Sequence, residues 1–419
     1  MESSIKLLSY GIDTLVLNVR YADQDFRPIK CELDEVLALW LDQLQLEARH
    51  AEVAVASDWR FKDTLLFVEP SGAGRQWRWR LTCRYLTLTV SPGRFNDLIA
   101  QVRFASEYLW QEAWAGDALS QVHDLLILIF GEDILLQVSE VHLCADLMGY
   151  DFSQVDYEQH FVTRVRKNSS IYAVGVEGVS LDNHRVSTLQ FSSHASPLSC
   201  SIYNKTLEIK QKSYKTFFYD LWRVGLPAPS GGQWDGESDV WRVEFRFKRD
   251  FLHQLTTPIE GAYVLLDQLS ALWTYAAGSL AGGADGLPDG WLRYVLPSDD
   301  TNRSRWPVHP AWQIVQAAFL EPGPDHPGAV VRYRVREKNL ERGVAATIGY
   351  LSTLAAWLGG EYVAPESDLS MVLQWLYGSG SDYLDDKQRD FVEEVKKKQL
   401  RYAPRSYSSL VKPLNDITY

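Results

Sequence analysis

The chain has 419 residues, a length that predicts two or three domains with substantial cores. Its 46% hydrophobic and 23% charged residues exclude an intrinsically disordered protein. A formal charge of −12 argues against nonspecific coating of nucleic acid or anionic membrane. The excess acid lies mostly in residues 1–140, with 13 basic against 21 acidic side chains, so local basic patches remain open to the rest of the chain.

Four cysteines, Cys31, Cys83, Cys144 and Cys200, stand far apart, which indicates neither a zinc ribbon nor a disulfide framework and fits a reducing cytoplasm. The first residues, MESSIKLLSYGID, lack a basic stretch followed by an apolar core. The longest apolar run, Leu125–Phe130, is closed by Gly131, Glu132 and Asp133, so no export signal and no membrane span are expected.

In chain order, alternation predicts a strand over 12–21, and a stripe of Val36, Leu37, Trp40, Leu41 and Leu44 predicts a helix over 33–49. Strands are expected at 64–69 and 77–90, then helices at about 94–115 and 117–130, the second opened by Asp117 and closed by Gly131. The middle third reads as a strand at 140–147, a helix from Ser153 to about Arg166, strands at 171–176, 186–192 and 199–206, a helix over 207–223 and a strand at 240–247. Residues 227–239 are rich in Pro and Gly and read as a loop. The resulting expectation is an α+β protein with an antiparallel sheet core and flanking helices. It divides into an N-terminal subdomain (1–140), a central domain (141–277), a loop-rich linker (278–329) and a C-terminal helical domain (330–419).

Three central strands each place their polar residues at period two. Glu140, His142, Cys144 and Asp146 share one face of the first, Ser201, Tyr203 and Lys205 of the second, and Arg242, Glu244 and Arg246 of the third. A solvated sheet face gives the same alternation. If the strands are neighbours, however, His142, Asp146 and Glu244 offer the hard ligands that Mg²⁺ or Mn²⁺ prefers, and Lys205, Arg242 and Arg246 suit a phosphate. A phenol such as Tyr203 is a poor nucleophile at neutral pH unless a cation or base assists it, and this company would supply both. Glu208 reads equally as a further metal ligand or as a solvated first-turn carboxylate, and Tyr172, Tyr214 and Tyr219 compete with Tyr203 as nucleophile. His160, His184, His194 and His253 show no ligand spacing.

The segments SEVHLCADLMGYD (139–151), CSIYNKTLEIKQKS (200–213) with YDLW (219–222), and VWRVEFRFKRDFL (240–252) resemble the replication initiation factor family of rolling-circle plasmid initiators and related relaxases of integrative elements. The opening GIDTLVLNVRY also resembles the N-termini of that family. The resemblance covers roughly residues 10–275. It implies a metal-dependent, origin-specific DNA nickase and strand transferase that forms a covalent 5′-phosphotyrosine, with the nucleophile carried onto Tyr203 and metal or acid roles onto Asp146 and Glu244. His142 stands where the family often has an acidic residue. Lys205, Arg242 and Arg246 would stabilise the reacting phosphate, and Lys210, Lys212, Lys215, Lys248 and Arg249 would hold DNA. Double- and single-stranded origin DNA is the expected partner, with a host helicase and a second copy of the chain as further candidates. The other class of reading is an initiator or regulator that binds DNA without cutting it. Basic runs at 332–342 and 387–405 read either as DNA contacts or as solvated charged faces.

Overall fold

Branched apolar residues alternating with polar ones over KLLSYGIDTLVLNVRY form one long strand, β1 (Lys6–Tyr21), longer than the strand expected from residue 12. The computed structural model describes residues 5–319 and 340–396, less 24, 26, 94–96, 112–114, 156, 165–170, 174–175, 178–184, 228–230, 256–257, 281–289, 359–368, 388–389 and 394. After β1, Asp34 accepts a hydrogen bond from the Leu37 amide and opens α1 (Glu35–Ala51), whose buried Leu41, Gln45 and Ala48 face the sheet. Four strands follow: β2 (Val55–Phe61), β3 (Thr64–Val68), β4 (Trp79–Thr82) and β5 (Leu86–Val90). The single strand expected over 77–90 is thus a hairpin turning at Cys83–Tyr85.

Part of the helix expected over 94–115 is instead β6 (Ala100–Phe104). Ala100, Val102 and Phe104 bury at period two between β1 and β5, and α2 (Ser106–Gln111) is the helix that follows among the described residues. α3 (Ala115–Phe130) then leads to β7 (Ile134–Met148), which pairs with β1 along nearly its whole length. The division expected at residue 140 falls inside this strand.

The helix expected from Ser153 is also cut short. A 3₁₀ turn (Phe152–Gln154) and α4 (Tyr157–His160) give way to β8 (Phe161–Thr163), because Phe161 is needed in the core beside Phe191 and Trp312. The short strands β9 (Ile171–Ala173), β10 (Val176–Glu177) and β11 (Arg185–Val186) precede β12 (Thr188–Phe191) and β13 (Leu198–Asn204).

The helix expected over 207–223 is three pieces: α5 (Lys205–Glu208), a π-helical turn (Ile209–Ser213) and α6 (Phe217–Val224), broken at Tyr214. β14 (Val240–Lys248), α7 (Arg249–Leu252), α8 (Ala262–Asp267) and α9 (Leu269–Ala277) follow. β15 (Leu292–Tyr294), which pairs with β8, and α10 (Pro310–Gln316) lie in the segment expected to be a linker.

The main sheet is antiparallel throughout, in the order β2-β3-β4-β5-β6-β1-β7-β14-β13-β12-β9, so the protein is α+β as its composition and periodicity imply. The chain divides into two units, residues 1–330 and 331–419. The second contains α11 (Leu340–Leu358) and α12 (Leu369–Asp386). Most of the basic runs at 332–342 and 387–405 lies outside the described residues.

One face of the central strands is apolar. Phe245 and Phe247 of β14 lie there, with Trp273, Trp291 and Trp312 edge-on to Phe245. Trp312 is fully buried and donates its indole N–H to the Ala277 carbonyl at 2.9 Å. Residues 291–319 are therefore part of the core. Trp312→Ala should destabilise the first unit by about 3–5 kcal/mol, the cost of deleting a large buried aromatic. Urea unfolding read by far-UV circular dichroism checks this, and a loss under about 1 kcal/mol would mean the segment is not an integral part of the fold.

Candidate active site

The other face of the same strands carries the polar residues, and strand register fixes their arrangement. Tyr203 pairs with Arg242 and Arg242 with Asp146 across β13, β14 and β7. The next rows are Ser201–Glu244–Cys144 and Ser199–Arg246–His142, and Lys248 stands opposite Glu140. With neighbouring strands about 4.8 Å apart, Tyr203 and Asp146 sit about 10 Å apart with Arg242 between them.

Arg242 has no exposed side-chain surface. Its Nε and Nη2 donate to Asp146 Oδ1 and Oδ2 at 2.6 and 2.8 Å, and its Nη1 donates to Asp13 Oδ1 at 2.6 Å. The ring of Phe218 stands 4.4 Å from the guanidinium carbon. Asp146 also accepts from Ser9 Oγ at 2.8 Å and Trp222 Nε1 at 2.9 Å, and Asp13 accepts from Ser106 Oγ at 3.0 Å. Burial alone would raise the pKa of Asp13. The Arg242 charge, supported by Lys215 and Lys205, outweighs burial and holds the group far below the ordinary carboxylate range. Gly11, opposite Cys144, leaves room for the indole of Trp110, since a Cβ there would lie 2.9 Å from that ring.

A second cluster centres on Glu244, itself almost wholly buried. Its Oε2 accepts from the Tyr203 hydroxyl at 2.8 Å, and its Oε1 accepts from Arg246 Nε at 3.0 Å and lies 3.0 Å from His142 Nδ1. The other nitrogen of His142 is 2.6 Å from Glu140 Oε1. Burial would lower the His142 pKa, but hydrogen bonds to Glu140 and Glu244 raise it above its usual value. Burial would raise that of Glu244, and His142 brings it below. For Tyr203, burial and then the Glu244 charge act in the same direction and push the phenol well above its usual pKa.

Lys205 does not continue the strand as expected. Asn204 ends β13 and caps α5 by accepting from the Leu207 amide, and Lys205 is buried on that first turn with its Nζ 5.6 Å from the centre of the Tyr203 ring and 2.7 Å from Glu208 Oε2. Burial, with Arg242 nearby, lowers its pKa.

Glu208 bonds Lys205 and Ser213 and joins neither cluster. Lys210 and Lys212 are exposed on the π-helical turn, and Lys215 and Lys248 are half-buried. Arg249 starts α7 and holds His253 Nε2 at 2.9 Å. Tyr219 stacks on Trp234, Tyr172 lies on β9, and His184 lies outside the described residues.

Mg²⁺ or Mn²⁺ does not fit these side chains as they are arranged. Both Asp146 oxygens are taken by four donors, including a guanidinium fork, and both Glu244 oxygens are taken by Tyr203, Arg246 and His142. Among the described residues no group of three or more His, Cys, Asp or Glu is placed to hold a metal ion. The carboxylate of Asp146 is thus committed to arginine, contrary to the ligand role expected of it.

Asp13, Ser9, Ser106 and Trp222 were not singled out from the sequence as site residues. Asp13 had one visible signal, a charge inside the apolar run GIDTLVLNV. Trp222 lies in the segment YDLW but gives no sign of its bond to Asp146, 76 positions away.

No family model matches the chain, and no curated protein matches it. Among solved structures, the rolling circle replication initiator protein from Geobacillus stearothermophilus is similar over 74% of this chain and 94% of its own, with 12% identity and a TM-score of 0.35. No described helix is long and apolar enough to cross a membrane.

Two predictions test the cluster. Asp146→Ala leaves Arg242 buried with half its counter-charge and should cost about 3–5 kcal/mol in urea unfolding. A loss below about 1 kcal/mol would show that the pair does not hold the strands together. The second concerns Asp13, whose folded pKa lies below its unfolded value near 3.8. Its contribution is complete above that value and is lost as pH falls toward the folded pKa. The stability gap between wild type and Asp13→Asn should therefore narrow by about 1 kcal/mol between pH 6 and pH 3, and a gap that widens would refute the charge assignment.

Proposed function

We propose that this protein cuts and rejoins DNA through Tyr203, in the initiation of rolling-circle replication or conjugative transfer. The observation that carries the reading is the bond from the Tyr203 hydroxyl to Oε2 of the buried Glu244 at 2.8 Å, with the Lys205 ammonium beside the ring. A carboxylate accepting a phenol's hydrogen bond is placed to take its proton. In the reaction proposed, the Tyr203 oxygen attacks phosphorus as its proton passes to Glu244. The bond from phosphorus to the 3′ oxygen breaks, that oxygen is protonated from solvent, and the 5′ phosphate stays on tyrosine. Reversal by a 3′ hydroxyl reseals a strand without an external energy source.

Free phenolate is disfavoured here, so proton loss must accompany attack. Lys205 supplies positive charge where the phosphoryl oxygens gain negative charge, and Arg246 orients Glu244 through its bond to Oε1. Arg242 keeps the strand register and is not assigned to the phosphate, because its donors are already spent on two aspartates.

The closure of the cluster favours one other reading, a replication initiator that binds DNA without cutting. Labelled single-stranded origin DNA incubated with protein in Mg²⁺ and Mn²⁺ and run on a denaturing gel separates the two. Wild type should give a shifted covalent band and Tyr203→Phe none. The substitution strands one buried acceptor on Glu244, so it should lower stability by about 1–3 kcal/mol and leave the protein folded. A band that survives in Tyr203→Phe and disappears in Tyr219→Phe would move the nucleophile. No band from wild type that binds the oligonucleotide would leave the non-cutting initiator.

A further inference from the structure

We infer that Tyr214 and the lysines around it form a stacking site for an unpaired base of single-stranded nucleic acid next to Tyr203, an inference that rests on the DNA reading above. Three observations meet at this corner. Tyr214 has φ +55°, the left-handed region that a bulky side chain rarely adopts, and the residue is 71% exposed. The left-handed conformation caps the π-helical turn and at the same time turns an aromatic ring to solvent. The corner is also fixed in place: the Tyr214 amide donates to the Ile209 carbonyl at 3.0 Å, and the Lys215 amide donates to Ser213 Oγ at 3.4 Å.

Ser213 Oγ donates in turn to Glu208 Oε2 at 3.1 Å, and Glu208 holds Lys205, which lies against the Tyr203 ring. Hydrogen bonds therefore tie the backbone beside Tyr214, through Ser213 and Glu208, to Lys205, whose Nζ stands 5.6 Å from the centre of the Tyr203 ring. Around the ring, residues 209–215 carry Lys210, Lys212 and Lys215 and no acid, and Glu208 is neutralised by Lys205. An exposed ring a few residues from the exposed Lys210 and Lys212 has the chemistry of a base platform with phosphate contacts beside it. A duplex hides its base faces, so the ligand is a single strand.

Fluorescence anisotropy of a labelled oligothymidine with the full chain tests this. Tyr214→Ala and Tyr214→Asn should weaken binding about tenfold, Tyr214→Phe should bind like wild type, and affinity for duplex should be nearly unchanged. Asparagine tolerates the left-handed conformation, so Tyr214→Asn should melt no lower than wild type, a result that a structural role for the ring would not give.

Unchanged affinity in Tyr214→Ala, equal loss in Tyr214→Phe, or no binding of oligothymidine by wild type would each overturn the site. The covalent band on Tyr203 is a separate readout. A band with unaffected Tyr214→Ala binding removes the stacking site and keeps the cutting, and weakened binding without a band does the reverse.

Discussion

The buried guanidinium of Arg242 is the constraint on which the rest of this structure depends. It joins β14 to β7 through Asp146 and to β1 through Asp13, three strands whose partners lie 96 and 229 positions away in sequence. Such a group cannot be left unpaired, since an isolated charge in the interior would cost several kcal/mol. Two carboxylates on one guanidinium leave a deficit of positive charge, and Lys205 and Lys215 act on Asp13 to offset it. A slip of one residue in any of the three strands would break these bonds and turn the apolar face, with Phe245 and Phe247, toward solvent. Register and charge pairing therefore enforce each other.

That commitment divides the polar face by role. Within the row Tyr203–Arg242–Asp146, the Arg242–Asp146 pair is saturated with internal donors and acceptors and serves as scaffold. Tyr203, at the other end of that row, is only partly buried and reaches across to Glu244 in the next row, and on the proposed reading that bond to carboxylate is exchanged for a bond to substrate. Holding the reactive groups against a rigid row is what catalysis by positioning requires, because displacements of about 1 Å at such a site are costly in rate.

The sequence showed the face more clearly than the pairing. Period-two alternation placed His142, Asp146, Glu244 and Tyr203 together because a strand allows only two directions for a side chain. It could not show that Arg242 would claim Asp146, since that depends on burial depth and on Asp13 and Trp222, which are distant in sequence. The same gap explains β6. Ala100–Phe104 is as apolar as a helix stripe, and only its place between β1 and β5 settles its conformation. In the segment 207–223, helical periodicity was real on both sides of Tyr214 but carried no sign of the π-helical turn that breaks it.

The electrostatics of Tyr203 bear on how such a site avoids damage in the absence of DNA. Burial and the Glu244 charge push the phenol well above its usual pKa, so on the proposed reading the nucleophile would be latent in the free protein. In the proposed reaction, a phosphodiester brought against Lys205 would change that balance from outside. The phosphorus would take electron density from the oxygen as it formed the bond, and the proton would move along a hydrogen bond already made. On this reading Glu244, whose charged form His142 and Arg246 contact, would accept that proton and return it when a 3′ hydroxyl attacks in reverse. Burial presses the Glu244 pKa upward and His142 brings it below its usual value, so the carboxylate is a weak base toward this phenol, and in the proposed reaction the proton transfer must be concerted with bond formation at phosphorus in both directions.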